Sequence, residues 1–429
     1  MEPPFAGRVS GTSETHPRKP PYVKLIERPV RSIAGAIADS AARWGNPDFP
    51  PRVRALAAVV ARTGYSEPVV EYAFDRLFGA LTRDAIEATI AGELGSLDAL
   101  DRFVDISADV RARALPVGRV CVLSSRTTIG VAIVPAIFAL CAKCAVLVKD
   151  REDALVAAFF ATLADEIPEL RDTIVAQSWD GETQTPGLGD FDAVAAFGDD
   201  ATLTRIRAQL APASRWIPFG TKASCGYVAR GALHRIESAT EIADGAARDL
   251  SLYETQGCLS LHVLFVESGA PVTPSEFAGL LAASLERAAV EFPIGRREAG
   301  DVAAITRLRD AATFRSAQRK NGALRSDASA TYLAVLDPPQ EEPPFFLPRA
   351  LAIHTVESPD DAARYLQRHR LPIEAVAVAG MRSDVAQLAL RLGAARIAAF
   401  GTLQSPPLRG YHGGRPRIAE FVRWVVDET

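Results

Sequence analysis

The chain has 429 residues, which is too long for a single compact core and predicts two or three structural units. Hydrophobic residues make up 48% and charged residues 23%, the balance of an ordinary soluble globular protein. A formal net charge of −4 gives no electrostatic reason to expect nucleic acid or an anionic membrane surface as a partner.

Residues 1–25 are rich in Pro, Ser, Thr and Arg and predict a disordered lead-in, without the apolar stretch of a signal peptide. The longest apolar stretch, 129–148, is interrupted by Gly130, Pro135 and Lys143. We therefore expect a strand end, a buried helix and a second strand there, and no transmembrane segment. Five cysteines without regular spacing predict no disulfide framework, which favours a reducing, cytoplasmic location.

Residues 26–115 predict an N-terminal helical region. Helices are expected at 32–44, at 52–62, after Ser66, after Thr82 and at 97–105. No cluster of ionisable residues stands out in this region, so we interpret it as scaffold.

Short runs rich in Val and Ile alternate with helical patterns from 116 to 228. Strands are expected at 119–123, 145–149, 173–178, 193–197 and 216–219, with helices at 134–142, 154–165 and 201–210. This alternation predicts βαβ units and a mainly parallel sheet. Ligands of such sheets bind beyond the carboxyl ends of the strands, which directs attention to 124–128, 149–152, 198–200 and 220–222.

A second α/β series fills residues 229–400 and is followed by a C-terminal segment, 401–429. Helices are expected at 239–252, 274–289, 359–368 and 384–392. Strands are expected at 261–266, 332–336, 350–355, 375–379 and 396–400. Two α/β units in series suit an enzyme with two substrates.

Cys258 is the sharpest candidate for chemistry. It follows Gly257, which permits close backbone approach, on a short polar connection between a predicted helix and a predicted strand. A thiolate at this position can serve as both nucleophile and leaving group, as thioester exchange requires. The alternative is that Cys258 is only a small buried hydrophobic side chain.

The other four cysteines favour packing roles. Cys141 and Cys144 form a CxxC pair at an Ala-rich apolar helix end, without the second pair of ligands that a zinc site needs. Cys121 lies in a predicted buried strand, and Cys225 follows the loop at Gly220. We expect no metal site.

Charged residues follow the predicted strand 145–149. Lys149, with a carboxylate nearby at Glu152, can hold an adenosine ribose, and Lys149 and Arg151 can face a 2′-phosphate. The alternative is a solvated charge cluster in a turn.

Gly198 ends another predicted strand and opens a helix whose N-terminus can seat a phosphate. Asp199 and Asp200 would repel a phosphate there, and helix capping alone explains both. Neither a GxGxxG motif nor a P-loop lysine motif is present in the sequence. His262 falls in a predicted strand, where we expect a packed histidine and not the base that activates Cys258.

Several short segments add up to a family pattern. They are VK at 148–149, FG at 197–198, QGCLS at 256–260, GTLQSPP at 401–407, HGG at 412–414 and the RTGYS turn at 62–66. In this order they resemble the aldehyde dehydrogenase superfamily, and more narrowly the LuxC-type fatty acyl-CoA (acyl-protein thioester) reductases of bacterial bioluminescence operons. The resemblance covers nearly the whole chain after residue 30.

The resemblance implies an aldehyde dehydrogenase-like α/β fold and self-association. It makes 116–228 a Rossmann-type NAD(P)-binding domain and 229–400 the catalytic domain, with Cys258 as the acylated nucleophile.

The same resemblance implies the cofactor contacts. Lys149 and Glu152 become contacts of the cofactor ribose, and Gly198 becomes the turn on the phosphate side. Glu342 falls where the superfamily keeps a Glu facing the nicotinamide ribose, although Pro344 replaces the more usual glycine context.

Two departures from the superfamily concern catalysis. The segment 124–128 lacks the Asn that donates to the oxyanion, so Thr127, Thr128 or Arg126 substitutes, or the backbone N–H of Cys258 carries more of that role. The stretch 218–222 lacks the Glu that activates hydrolytic water. The second departure suits a reductase, because a base aimed at water would hydrolyse the acyl-enzyme before reduction.

The predicted function is NAD(P)H-dependent reduction of a fatty acyl-CoA or acyl-protein thioester to the aldehyde, through an acyl-enzyme at Cys258. NADPH is expected because Lys149 and Arg151 can face its 2′-phosphate, with NADH as the alternative. A homo-oligomer is expected, and a complex with an acyl-activating or acyl-transferring enzyme is a further expectation. An acyltransferase that uses the same Cys without nicotinamide and a non-catalytic member of the fold stay open as alternatives.

Overall fold

The computed structural model describes residues 23–125, 127–151, 155–179, 187–318, 323–380 and 382–429. The predicted lead-in up to residue 22, Arg126 and Glu152 lie outside the described residues. Within these ranges, no helix combines the length and apolar character needed to cross a membrane.

The first half of the chain begins with helices and continues with alternating strands and helices. The opening helices are α1 (Val23–Ile26), α2 (Val30–Trp44), α3 (Pro50–Thr63), α4 (Glu67–Ala80) and α5 (Arg83–Leu94). They are followed by β1 (Val104–Ser107), β2 (Val110–Pro116), β3 (Arg119–Leu123), α6 (Ile133–Cys141), β4 (Ala145–Lys149), α7 (Leu155–Glu166), β5 (Ile174–Gln177), β6 (Ala193–Phe197), α8 (Asp200–Arg207) and β7 (Arg215–Phe219).

The second half repeats the alternation and ends in a strand. Its elements are β8 (Ala223–Val228), α9 (Ile236–Ser251), β9 (Leu261–Glu267), α10 (Pro274–Glu291), α11 (Ala299–Gln318), β10 (Ala323–Ser326), β11 (Leu333–Leu336), β12 (Ala350–Val356), α12 (Pro359–Arg368), β13 (Ile373–Ala379), α13 (Arg382–Arg391), β14 (Arg396–Ala398) and β15 (Val422–Asp427).

Local capping explains where several helices begin and end. The Thr82 side chain accepts a hydrogen bond from the Ala85 N–H at 3.2 Å, and α5 ends at Gly95 with a φ of 76° that suits glycine. Helix α10, expected at 274–289, begins with a reciprocal capping box formed by Thr273 and Glu276.

The predicted helix at 97–105 is wrong. Leu97–Leu100 forms a single 3-10 turn, and Val104–Ser107 is strand β1. The Ser96 side chain accepts from the Asp98 N–H and starts the turn as predicted. Antiparallel pairing of β1 with β2 then overrides the local helical pattern.

The first unit contains a parallel five-stranded sheet in the order β5-β4-β3-β6-β7. Every residue of β4 is buried, and α6 is buried along most of its length. The predicted parallel sheet is therefore confirmed. Lys149 ends β4 and Phe197 ends β6, so the residues that follow them lie at the carboxyl edge of this sheet.

An antiparallel three-stranded sheet, β1-β2-β15, belongs to the same unit and was not predicted. Its central strand β2 pairs with β15 from Pro116↔Val422 to Arg111↔Asp427. The sequence VRARALP of β2 has no long apolar run, and its partner comes from the opposite end of the chain. For both reasons, the sequence around β2 contains no local pattern from which this sheet could be predicted.

The second unit is built on a seven-stranded sheet in the order β10-β11-β12-β9-β8-β13-β14. Its pairs are parallel except for the antiparallel pair β10–β11. Strand β8 was not predicted, because Ala, Ser and Gly are poor strand formers, yet the strand is buried at every position. Helix α11 was missed as well.

The chain divides into two compact units. The first contains the described residues up to Thr63, together with Glu71–Gly220 and Pro407–Thr429, and the second contains Gly64–Val70 and Thr221–Pro406. The division falls before β8, whereas the sequence led us to expect a boundary at 228/229. The predicted C-terminal segment 401–429 is shared between the units.

Candidate active site

Cys258 lies on a short connection at the amino end of a strand in the second unit. Helix α9 ends at Ser251, a non-helical turn spans Leu252–Thr255, and β9 begins at Leu261. Among the five cysteines, Cys258 is exposed and the other four are buried. Burial raises the pKa of those four thiols, as expected for packing roles. The described residues contain no grouping that could hold a metal ion.

Several charges and dipoles act on the Cys258 thiol. Although Cys258 is an exposed residue, neighbouring protein atoms partly desolvate its thiol and raise the pKa to about 11, with Glu374 adding to the rise. Lys222 and the backbone N–H groups of Cys258 and Leu259 act in the opposite direction and lower the pKa. The thiol is therefore mostly protonated at neutral pH in this state, and a small thiolate fraction is stabilised by Lys222 and the backbone.

Lys222 and Glu374 form an ion pair at the same sheet edge as Cys258. Lys222 Nζ lies 2.7 Å from Glu374 Oε2, and the two side chains are 29% and 9% exposed. Lys222 comes directly before β8, and Glu374 is the bulged residue where the register of β13 against β8 shifts. Sequence reasoning missed Glu374, because it approaches Lys222 only through strand pairing.

A hydrogen bond joins the Cys258 connection to strand β8. Ser224 Oγ donates to the Cys258 carbonyl oxygen at 2.7 Å. Strand β8 lies between β9 and β13 in the sheet. The amino ends of these three neighbouring strands therefore bring Cys258, Lys222 and Glu374 to one edge.

The two segments that carried the narrower resemblance are tied to each other. Gln404 Nε2 donates to Ser260 Oγ at 2.8 Å, which links GTLQSPP to QGCLS. Asp249 of α9 accepts from the N–H groups of Gly401 at 2.7 Å and Leu403 at 3.0 Å. Burial raises the pKa of Asp249 to about 7, and these two hydrogen bonds oppose the rise. The closing segment thus braces the connection that carries Cys258.

His262 is a packed histidine, as predicted. It is buried, its Nδ1 accepts from the Ser224 N–H at 3.2 Å, and its ring lies 5.1 Å from the Phe346 ring. Burial lowers the pKa of His262 to about 4, so the ring is neutral at physiological pH. Its Nδ1 position is occupied by the backbone of β8.

Glu342 lies in the connection between β11 and β12. Its Oε1 is 3.3 Å from Arg315 Nη1 in α11, and its carbonyl oxygen accepts from the Tyr365 hydroxyl at 2.9 Å. The Glu342 side chain is 41% exposed, so it has solvent access. Its role at a nicotinamide ribose stays a prediction.

Lys149 lies at the carboxyl end of β4 and is buried. Its Nζ is 5.0 Å from the centroid of the Trp179 ring, which follows β5 on the neighbouring strand. Arg151 comes shortly after, and its carbonyl oxygen accepts from Arg62 Nε at 3.5 Å. This edge therefore pairs a cation with an aromatic ring, and sequence reasoning missed Trp179.

Gly198 lies where predicted, between β6 and α8, but the helix terminus there is acidic. Asp199 caps α8 by accepting from the Thr202 N–H at 2.7 Å, and this hydrogen bond lowers the pKa of Asp199. Asp200 is the first residue of the helix. The capping interpretation of Asp199 is confirmed, and a phosphate at this terminus would meet two carboxylates.

Thr127 and Thr128 lie in the connection between β3 and α6, and both are half-buried. This connection belongs to the first unit, whereas Cys258 belongs to the second. Their role as oxyanion donors stays a prediction.

Comparison with known proteins gives a family and a fold. A family model described as acyl-CoA reductase (LuxC) matches residues 25–424. No match was found among curated proteins.

Three solved structures illustrate the likeness in fold. An NAD-dependent benzaldehyde dehydrogenase from Corynebacterium glutamicum has 14% identity and a TM-score of 0.68, covering 96% of this chain and 89% of its own. Aldehyde dehydrogenase 21 from Physcomitrella patens, in complex with succinate, has 11% identity and a TM-score of 0.70, covering 94% and 86%. The glyceraldehyde-3-phosphate dehydrogenase GapN from Methanocaldococcus jannaschii, complexed with NADP, has 11% identity and a TM-score of 0.69, covering 95% and 92%.

Proposed function

Because the chain belongs to the acyl-CoA reductase (LuxC) family and is thus an oxidoreductase acting on acyl thioesters or aldehydes, we propose that it reduces a fatty acyl thioester to the aldehyde through an acyl-enzyme on Cys258. The supporting observation is Cys258 itself. Among the five cysteines it is the exposed thiol, and it lies in the QGCLS segment that hydrogen bonds brace from β8 and from the closing segment.

The proposed first stage acylates Cys258. The thiol loses its proton, the thiolate attacks the thioester carbonyl, and the new C–S bond forms as the carbonyl oxygen becomes an oxyanion. Collapse of this intermediate breaks the substrate C–S bond, and the departing thiolate takes up the proton. The backbone N–H groups of Cys258 and Leu259, which already interact with the sulfur, are suited to donate to that oxyanion.

The proposed second stage releases the aldehyde from Cys258. A bound nicotinamide would supply the hydride that reduces the acyl group. The resulting hemithioacetal oxyanion on Cys258 collapses to the aldehyde, and the Cys258 thiolate leaves. Lys222 favours this thiolate electrostatically, whereas Glu374 disfavours it, so the pair tunes how readily sulfur departs.

The carboxyl edge of the five-stranded sheet fits part of a nicotinamide dinucleotide. Lys149 beside the Trp179 ring suits a ribose and its base, and we propose that Lys149 and Arg151 favour NADPH over NADH. Asp199 and Asp200 would repel a phosphate at the start of α8. We therefore propose that the cofactor phosphates contact the turn at Gly198 and not the N-terminus of α8. Glu152 and Glu342 complete the proposed contacts.

Partners and location follow the same proposal. We expect self-association, supported by edge strand β15, which leaves Trp424 and Val426 43% and 49% exposed. A complex with an acyl-activating or acyl-transferring enzyme would supply the thioester. The five free cysteines support a reducing, cytoplasmic location.

Replacement of the nucleophile tests the proposal. In Cys258→Ala, NADPH oxidation with a long-chain acyl-CoA should fall to background, because no thioester to the enzyme can form. Intact-mass spectrometry should detect a hydroxylamine-sensitive acyl adduct on the wild type and none on the variant. Cys225→Ala, which removes a buried thiol of the same unit, is the matched control and should retain both signals.

The outcomes separate the alternatives. Normal turnover in Cys258→Ala would overturn the mechanism. An acyl adduct without any NADPH or NADH oxidation would favour an acyltransferase that uses the same thiol. Absence of both signals in the wild type would favour a non-catalytic member of the fold.

A further inference from the structure

The backbone directly before the Cys258 connection is strained. Tyr253, Glu254 and Thr255 are consecutive non-glycine residues with φ values of 55°, 52° and 59°. L-residues seldom adopt this left-handed region, and runs of them persist only where surrounding contacts enforce them. The chain reverses here between α9 and the segment that carries Cys258. Some contact must therefore hold this triplet in place.

Arg349 supplies the central contact. Its side chain is 1% exposed, its Nη2 donates to Glu254 Oε1 at 3.1 Å, and the same nitrogen donates to the Phe292 carbonyl oxygen at 2.8 Å. Glu254 Oε1 also accepts from the Gly295 N–H at 3.2 Å. A buried guanidinium thus fixes the middle residue of the triplet from the segment that precedes β12.

Further hydrogen bonds fix the flanking residues of the triplet. The Arg349 N–H donates to Thr255 Oγ1 at 3.0 Å, and Thr255 Oγ1 donates to the Leu250 carbonyl oxygen at 3.1 Å. The Tyr65 hydroxyl donates to the Tyr253 carbonyl oxygen at 3.4 Å. Each of the three left-handed residues therefore has a buried polar partner.

The ion pair is poorly arranged for stability alone. Glu254 Oε2 and Arg349 Nε are buried and have no hydrogen-bond partner among the residues that the structure describes. Desolvation raises the pKa of Glu254 and lowers that of Arg349, and each partner opposes the shift of the other. Buried pairs of this kind can often be replaced by apolar side chains without loss of stability, so the pair is weak evidence for a purely stabilising role.

We propose that Glu254 and Arg349 are positioning residues that hold the left-handed triplet 253–255 and so direct Cys258 toward its acyl substrate. The inference rests on the proposed function in taking Cys258 as the nucleophile. Neither residue needs to contact the substrate. The pair acts through the backbone, since Glu254 precedes Cys258 in the same connection and Arg349 anchors it from the segment before β12.

A double replacement separates positioning from stability. In Glu254→Met/Arg349→Met the charges disappear together, which avoids the cost of leaving one buried charge unpaired. The Phe292 carbonyl oxygen and the Gly295 N–H lose a partner, so the protein should fold with a melting temperature lower by several degrees. The acylation rate of Cys258 in single turnover should nevertheless fall about 100-fold, since small displacements of reacting groups can cost that much. KM for acyl-CoA should change little. Arg287→Met, which breaks an exposed ion pair with Asp244 in the same unit, should leave all three values unchanged.

A milder variant covers the case in which the double variant does not fold. Glu254→Gln keeps an oxygen for Gly295 but removes the charge, and it should lower the acylation rate about tenfold at unchanged KM, the loss of roughly one charged hydrogen bond. Acylation at the wild-type rate in a folded variant would overturn the positioning role. A wild type that forms no acyl adduct would instead overturn the proposed function.

Discussion

The candidate chemistry lies at the carboxyl ends of the strands in the five-stranded sheet, but at the amino ends of the strands in the seven-stranded sheet. In the first unit, Lys149 and Gly198 lie at carboxyl ends, where ligands of parallel sheets usually bind. In the second unit, Cys258, Lys222 and Glu374 gather at the amino ends of β9, β8 and β13. A nucleophile that must keep one position suits an edge braced by several strands, whereas a dissociable cofactor suits an open carboxyl edge.

The two edges also differ in how their charges are arranged. Lys222 and Glu374 are paired beside the thiol, and their effects on its pKa are opposite. At the proposed cofactor edge, Lys149 lies beside an aromatic ring while Asp199 and Asp200 occupy a helix start. We therefore expect charge changes beside Cys258 to alter the chemistry of the thiol, and charge changes beside Lys149 to alter the affinity for the cofactor.

The pH dependence of Cys258 reactivity should give the largest effect. Because burial and Glu374 raise the pKa of the thiol to about 11, its alkylation by iodoacetamide should rise roughly tenfold per pH unit between pH 7 and 10. The alkylation rate is measured by quenching the reaction at set times and determining the modified fraction of Cys258 by mass spectrometry. A plateau near pH 8 would show that the thiol is more acidic than the arrangement of charges indicates.

Loss of Lys149 should give the next largest effect, confined to the cofactor. Lys149→Met keeps the alkyl stem but removes the charged donor, and NADPH should bind about 10- to 100-fold more weakly, the usual range for a charged hydrogen bond. Fluorescence titration measures the affinity. Cys258 acylation by acyl-CoA is the internal control and should keep its rate, and a loss of both would contradict the separation of the two edges.

Loss of Lys222 should give a smaller effect, confined to the thiol. Lys222→Met removes the cation that lowers the pKa of Cys258 and leaves Glu374 without it, so alkylation at pH 8 should slow by about tenfold, the low end of what a neighbouring opposite charge does. Glu374→Gln is the matched control, because removing the carboxylate should speed alkylation. Changes of the same sign in both variants would indicate a general structural disturbance.

Local patterns predicted most of the fold. Pairing between distant segments accounts for the missed strands β1, β2 and β15, whereas β8 was missed because of its composition. The caps at Thr82 and Thr273 and the strands around Lys149 follow from residue types that act over a few positions. Strands β2 and β15 lack a local signal because each depends on the other. The helix predicted at 97–105 is wrong beyond residue 100, because β1 forms by pairing with β2 and this pairing has no local signal.

The residues of the candidate site also differ in whether the local sequence predicts them. Gly257 and the polar residues around Cys258 predicted an accessible thiol, and the thiol is exposed. Sequence reasoning missed Glu374, Trp179 and Arg349, because no local pattern marks them. Their partners Lys222, Lys149 and Glu254 are distant in the sequence and come close only in the fold. The acidic residues after Gly198 were recognised in the sequence as unfavourable to phosphate, and their capping geometry has the same implication.

The pairing of β2 with β15 has a consequence for how the chain folds during synthesis. Residues 221–406, which form most of the second unit, are complete before β15 has been made, whereas β2 must wait for residues 422–427 before its second neighbour exists. The first unit is therefore closed by a contact of very high sequence separation, the kind that forms slowly. Until that closure, one edge of β2 lacks its neighbour, and its backbone donors and acceptors are open to pairing with other strands.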